Sequence, residues 1–127
     1  MVSDGRKLSQ GKRLEEVIPP AKDRNAAFRR VILQIPKGQV TTYGQVAAAA
    51  GYPRNHRAVA QFLRSEPPNR LPWHRVVGAG GEIKLQGEAA AEQRLRLRME
   101  GVSFSGRRVN LKLHGFKGPR RSGLPKE

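Results

Sequence analysis

No cysteine occurs at any of the 127 positions. A disulfide, a cysteine-ligated metal and a thiolate nucleophile are therefore all out of reach, which excludes zinc-finger folds and thiol enzymes. The fold must rest on apolar packing, and the 37% of hydrophobic residues supply a modest core rather than a large one. A chain of this length suits one compact domain with short tails. The lack of cysteine fits a reducing interior, so the cytoplasm, or a nucleoid within it, is the expected location. No apolar run reaches the roughly 18 residues a membrane-spanning helix needs, and no membrane association is expected.

Charge narrows the partner. Lysine and arginine number 25 against 10 acidic residues, a formal charge of +15. Such a field draws in polyanions, which makes nucleic acid the default partner. Charge alone is equally compatible with RNA or an anionic membrane.

Residues 1–23 carry five basic and four acidic side chains with Gly5, Gly11, Pro19 and Pro20, and read as an N-terminal extension. The domain is expected over residues 24–113, and residues 114–127 form a basic, flexible tail. Within the domain, Phe28, Val31, Ile32 and Ile35 make one apolar stripe of a helix over residues 25–35, ended by Pro36-Lys37-Gly38. Thr42 and Gln45 have the spacing of a capping box, opening a second helix over residues 43–50 whose alanines, Ala47 to Ala50, allow a close neighbour. A third helix follows Pro53 over residues 55–65. Val59, Phe62 and Leu63 should turn inward, with Arg57, Gln61 and Arg64 on the opposite face. Two short helices with a basic outer face on the second resemble a helix-turn-helix.

The proline-rich residues 67–72 must be a loop. Val76-Val77 and residues 82–85, separated by Gly78-Ala79-Gly80-Gly81, predict a hairpin or wing. A last helix over residues 88–100 should bury Ala91, Leu95 and Met99 and close at Gly101, with a short strand over residues 108–111. The fold class is an α-rich α/β, winged helix-turn-helix-like domain. An RNA-binding module of the OB or RRM type would need more strands and aromatics.

Few residues could carry chemistry. Arg57, Gln61 and Arg64 supply donors for phosphates or a base stack, and the small Ala58 and Ala60 let a groove come close. Trp73, the single tryptophan, sits at a loop-to-strand junction where an indole could wall a cavity for an extruded base. His74 has no cysteine or adjacent serine to activate. His56, His74 and His114 lack a ligand spacing, so neither a metal nor any other cofactor is expected.

Pro72-Trp73-His74-Arg75-Val76 resembles the Pro-Cys-His-Arg-Val active-site motif of the alkylguanine-DNA alkyltransferases, with tryptophan in place of the alkyl-accepting cysteine. That replacement marks the alkyltransferase-like proteins. The resemblance runs over residues 26–113. It includes Ile35-Pro36-Lys37-Gly38-Gln39-Val40-Thr41-Thr42-Tyr43-Gly44-Gln45-Val46-Ala47, His56-Arg57-Ala58-Val59 and Glu100-Gly101-Val102. Several motifs in order make it specific.

The resemblance implies the C-terminal fold of those transferases, a recognition helix in the minor groove, and extrusion of the damaged nucleotide. It makes Arg57 the finger that enters the base stack and Tyr43 the residue that rotates the target through its phosphate. Trp73, His74, Arg75 and Gln86 would form the lesion pocket, with His74 and Glu100 a relic of the network that activates the missing thiol. It further implies a non-enzymatic monomer that binds O6-alkylguanine in double-stranded DNA and flags it to nucleotide excision repair proteins. Two departures stand out. Residues 65–71 do not preserve the transferases' Gly-Asn-Pro, and Gln86 is nearest to the arginine with which some alkyltransferase-like proteins read the lesion. The rival reading is a winged-helix transcriptional regulator, which leaves Trp73-His74-Arg75 and Glu100 unexplained. An enzyme would lack its nucleophile.

Overall fold

The computed structural model describes residues 21–67 and 69–117. The first helix, α1 (Ala21–Leu33), buries Phe28, Val31 and Ile32. It starts four residues before the expected Asn25, with Asp23 in its first turn, where a negative charge meets the helix dipole favourably. Ile35 is buried in the turn after it, and Pro36 prevents continuation.

The second helix, α2 (Tyr43–Ala49), opens on the expected capping box. The Gln45 backbone N–H donates to Thr42 Oγ1 at 3.1 Å, and the Thr42 N–H donates to Gln45 Oε1 at 3.2 Å. Of its alanines only Ala47 is fully buried; Ala48 and Ala49 face solvent. Helix α3 (His56–Ser65) packs across α2 with Val59 and Phe62 inward. The two make the expected helix-turn-helix.

The expected hairpin between Val76-Val77 and residues 82–85 does not form. Instead strand β1 (Thr41–Thr42) pairs in parallel with β2 (Val76–Val77), in the register Thr41 to Val76 and Thr42 to Val77. Residues Ala79–Gly81 make a tight turn in which Gly80 holds a left-handed φ of 71°, and Gly81 lies so close to Val109 that a Cβ would collide with the Val109 carbonyl. The Gly78 N–H still donates to the Glu82 carbonyl, but Glu82 then bridges to Arg108 and no ladder forms along β2. The hairpin in this region is formed by β3 (Phe104–Ser105) and β4 (Arg108–Val109).

Helix α4 (Gly87–Met99) exposes the face expected to be buried. Leu95 is 51% and Met99 74% exposed, and Ala91 is also outside. The inward positions are Ala90, Gln93 and Leu97. The apolar pattern misleads because Gln93 serves a partner elsewhere in the chain: its Nε2 donates to the carbonyls of His74 at 3.1 Å and Val76 at 3.0 Å. Gly101 ends the helix as expected, at φ 86°, and the Val102 N–H reaches back to the Leu97 carbonyl.

Two cores result. Phe28, Ile32, Val46, Val59, Phe62 and Val76 fill the helical one, while Val40, Val77, Ile83, Leu97 and Val109 fill the other. Alternate residues of a strand point to opposite faces, so two-residue β2 sends Val76 into one core and Val77 into the other. The turn just before β2 is thereby fixed from both sides. A short helix, α5 (Leu111–His114), closes the domain, and the Phe116 N–H donates to the Val40 carbonyl. Ordered contacts thus continue three residues past the expected end at Leu113. Residues 1–20 of the expected extension and 118–127 of the expected tail lie outside the described residues.

Candidate nucleic-acid interface

Helix α3 has two faces. Val59 and Phe62 lock the inner one, which leaves Arg57, Gln61 and Arg64 exposed together on the outer one. Arg54 holds a left-handed turn at φ 75° just before this helix.

A cleft of about 140 Å³ opens beside α3. An apolar cavity on the order of 150 Å³ takes up a benzene ring, so the space is ring-sized. Tyr43 contributes from the start of α2, and Ala60, Leu63 and Arg64 from α3. Trp73 and Val76 line the side of the turn and strand, and Leu85 and Gln93 complete it. Burial pushes the Tyr43 phenol above its usual range, the Arg64 charge pulling the other way, so its hydroxyl remains a donor at neutral pH.

The short 3₁₀ turn Trp73–Arg75 splits its three side chains. Trp73 borders the cleft and is braced by Arg96, whose guanidinium carbon lies 5.4 Å from the indole centroid. Arg96 is itself held by Glu92 at 2.7 Å and Asn69 at 3.1 Å.

His74 and Arg75 turn instead to Glu100. His74 Nε2 is 2.7 Å from Glu100 Oε2, and Arg75 donates to the same oxygen from Nη2 at 2.7 Å. Arg75 also donates through Nη1 to the Ile35 carbonyl, and the Gly38 N–H donates to Glu100 Oε1. Burial pushes the Glu100 carboxyl up, but the bonds from Arg75, His74 and Gly38 outweigh it and hold the pKa at about 2. Burial lowers the His74 pKa despite the carboxylate beside it, so the ring is neutral at pH 7. Its Nε2 proton then faces Glu100, and its buried Nδ1 has no hydrogen-bond partner among the described residues.

The residues expected to act together therefore fall into three groups. Tyr43, Arg64 and Trp73 meet at the cleft, while Arg57 and Gln61 stand on the exposed face of the same helix. His74, Arg75 and Glu100 form a separate network, and none of them lines the cleft. Gln86 is exposed at the start of α4, and its neighbour Leu85 reaches the cleft instead. Sequence reasoning did not assign Leu63, Val76, Leu85 or Gln93 to a cavity wall; only the small size of Ala60 hinted at an approachable surface. No local signal marks Leu85 or Gln93, because the contacts that place them are long-range. No group of three or more potential metal-ligating side chains occurs among the described residues, and no described helix is long and apolar enough to cross a membrane.

A helix-turn-helix with a basic outer face and a ring-sized cleft beside it defines a DNA-binding class of protein. Residues 23–102 match the family model of the 6-O-methylguanine DNA methyltransferase DNA-binding domain, and the chain belongs to that family. A DNA base-flipping protein of Vibrio parahaemolyticus is 45% identical over 76 residues, which cover 59% of this chain and 76% of that one. One of Escherichia coli is 47% identical over 78 residues, 61% of this chain and 60% of the relative. This chain therefore matches only about three-fifths of the E. coli protein's length. The crystal structure of Schizosaccharomyces pombe Atl1 in complex with damaged DNA containing O6-carboxymethylguanine is similar at a TM-score of 0.65 and 30% identity, covering 79% of this chain and 99% of that one. With no cysteine at any position, this chain cannot accept an alkyl group on a cysteine.

Proposed function

We propose that the protein is a non-enzymatic sensor of O6-alkylguanine in double-stranded DNA, which extrudes the damaged nucleotide and holds it in the cleft beside Trp73. The observation that carries this reading is a ring-sized cleft bordered by Trp73 and the hydroxyl-bearing Tyr43, next to the basic face of α3. Base extrusion needs a cavity for the base, a group to fill its place in the stack, and donors to grip the backbone. In this reading Arg57 fills the stack, Tyr43 works on the target phosphate, and Gln61 and Arg64 hold the groove. Trp73 walls the lesion, with His74, Arg75 and Glu100 fixing the turn that carries it, and Gln86 at the rim. The DNA-binding unit is residues 24–113, with the stretch to Phe116 attached to it through Val40. The protein acts as a monomer at the nucleoid and presents the lesion to nucleotide excision repair proteins. The Atl1 complex with damaged DNA supports the lesion class, and the base-flipping relatives support the extrusion.

Titration of paired duplexes that differ only in alkylation of one guanine, at fixed salt, tests the reading. Tight binding of the alkylated duplex is expected, whereas equal binding of both, or preference for an undamaged palindrome, overturns it in favour of a regulator. In the same assay, Arg57→Ala weakens binding and extrusion more than Arg120→Ala, which removes the same charge from the tail. A fluorescent base analogue at the target reads extrusion, and equal small losses from the two changes would count against the finger role.

A further inference from the structure

Trp73 is the single tryptophan of the chain, and it stands partly buried at the cleft wall. Its two side-chain torsions leave the indole several positions, so what packs on the ring decides where the wall stands. The Arg96 guanidinium lies over the ring, its central carbon 5.4 Å from the centroid. Two hydrogen bonds from different nitrogens fix the plane of that guanidinium. Nε donates to Glu92 Oε2 at 2.7 Å, and Nη2 donates to Asn69 Oδ1 at 3.1 Å. Glu92 stands one turn away on the same helix, whereas Asn69 comes from the loop ahead of the 3₁₀ turn, 27 positions away. Asn69 holds a left-handed φ of 74°, which asparagine adopts more readily than most residues. Neither Arg96 nor Asn69 lines the cleft.

We propose that Arg96 and Asn69 are positioning residues for the lesion wall: they clamp the Trp73 indole in place, and the clamp sets how strongly an alkylated base is preferred. This inference rests on the sensor reading above. A wall ordered before the base arrives loses no side-chain entropy on binding. A loose indole beside an empty, ring-sized cleft can swing into it and compete with the base for the same space. Arg96 acts through the indole and not on a phosphate, so its loss changes selectivity and leaves the salt dependence nearly alone.

The test uses the full chain and duplexes carrying one O6-methylguanine or one plain guanine. Arg96→Met keeps an apolar stem and removes the cation with both of its bonds. Arg96 and Glu92 are both partly exposed, so this change leaves no buried lone charge and the fold persists. Asn69→Gly keeps the left-handed turn and removes only the acceptor, and Asn69→Asp keeps an acceptor there. Arg96→Met and Asn69→Gly are each expected to lower the preference for O6-methylguanine by about two- to fivefold, the scale of one cation–π contact. Asn69→Asp should behave as the wild type, and the slope of log K against log salt should stay nearly unchanged in all three. With one tryptophan in the chain, the nanosecond anisotropy of its emission reads this indole alone. In the free protein the two clamp-breaking variants should gain a fast local component that Asn69→Asp lacks. Unchanged preference in either variant overturns the inference, and so does an indole no more mobile than in the wild type. A loss shared equally by the two duplexes, with a lower salt slope, also overturns it and makes Arg96 a phosphate contact. Failure of the sensor reading is distinct, because the wild type itself then binds the two duplexes equally.

Discussion

Trp73→Ala is expected to lower the preference for alkylated over plain guanine by about 5- to 150-fold, the range set by roughly 1–3 kcal/mol for stacking a base on an aromatic side chain. Overall DNA affinity should fall much less. Trp73 borders the cleft and packs against the Arg96 guanidinium, and its indole carries no charge to neutralise a phosphate. The slope of log K against log salt should therefore stay nearly unchanged. An Arg64→Ala variant provides the contrast, because it removes a cation at the cleft and should reduce that slope by about one. Titrations at several salt concentrations separate the two effects. If Trp73→Ala discriminates as well as the wild type, the indole is not part of the lesion wall.

Glu100→Ala should cost the largest share of stability, about 3–5 kcal/mol, because it leaves the Arg75 charge largely buried without its carboxylate. The side chains of His74, Arg75 and Glu100 are only 10%, 18% and 11% exposed. The loss should appear as a lower denaturant midpoint with an unchanged slope. The network also sets a pH dependence. An unfolded chain protonates Glu100 near its ordinary 4.5, while the folded chain holds it at about 2, so the unfolded state binds more protons between those values. Stability from Glu100 is present above 4.5 and is lost as the pH falls toward 2. His74 works in the same direction from higher up: its folded pKa lies below the ordinary 6.5, so acidification below 6.5 favours the unfolded, protonated form. Unfolding titrations from pH 7 downward should show a decline beginning near pH 6.5 and steepening below 4.5. A flat profile across this range would argue against the network's charge pattern.

Features encoded over a few residues were legible in the sequence. The Thr42 and Gln45 capping box, the amphipathic α3 and the Gly101 helix end each depend on neighbours within about two turns. What depended on distant partners was not. Val76-Val77 sits 35 positions from its strand partner, and the nearby glycines made a local hairpin the natural expectation. The face of α4 was inverted for a related reason. A glutamine at a core position is read as polar and outward unless its two carbonyl partners, 17 and 19 residues away, are known. At the site, the motif around Trp73 indicated which residues mattered, but not that a 3₁₀ turn would send Trp73 to the cleft and His74 and Arg75 to Glu100.

Recognition without repair is tested most directly by the fate of one methyl group. Excess protein is incubated with duplex DNA carrying a radiolabelled methyl on a single guanine O6, and the mixture is divided before and after denaturation. In the native half the label should travel with the protein as a complex. After denaturation all of it should remain on the DNA, because no thiolate is present to take the alkyl group and neutral water is a far poorer nucleophile toward that carbon. Label that stays with the denatured protein, or plain guanine regenerated in step with protein added, would contradict the account.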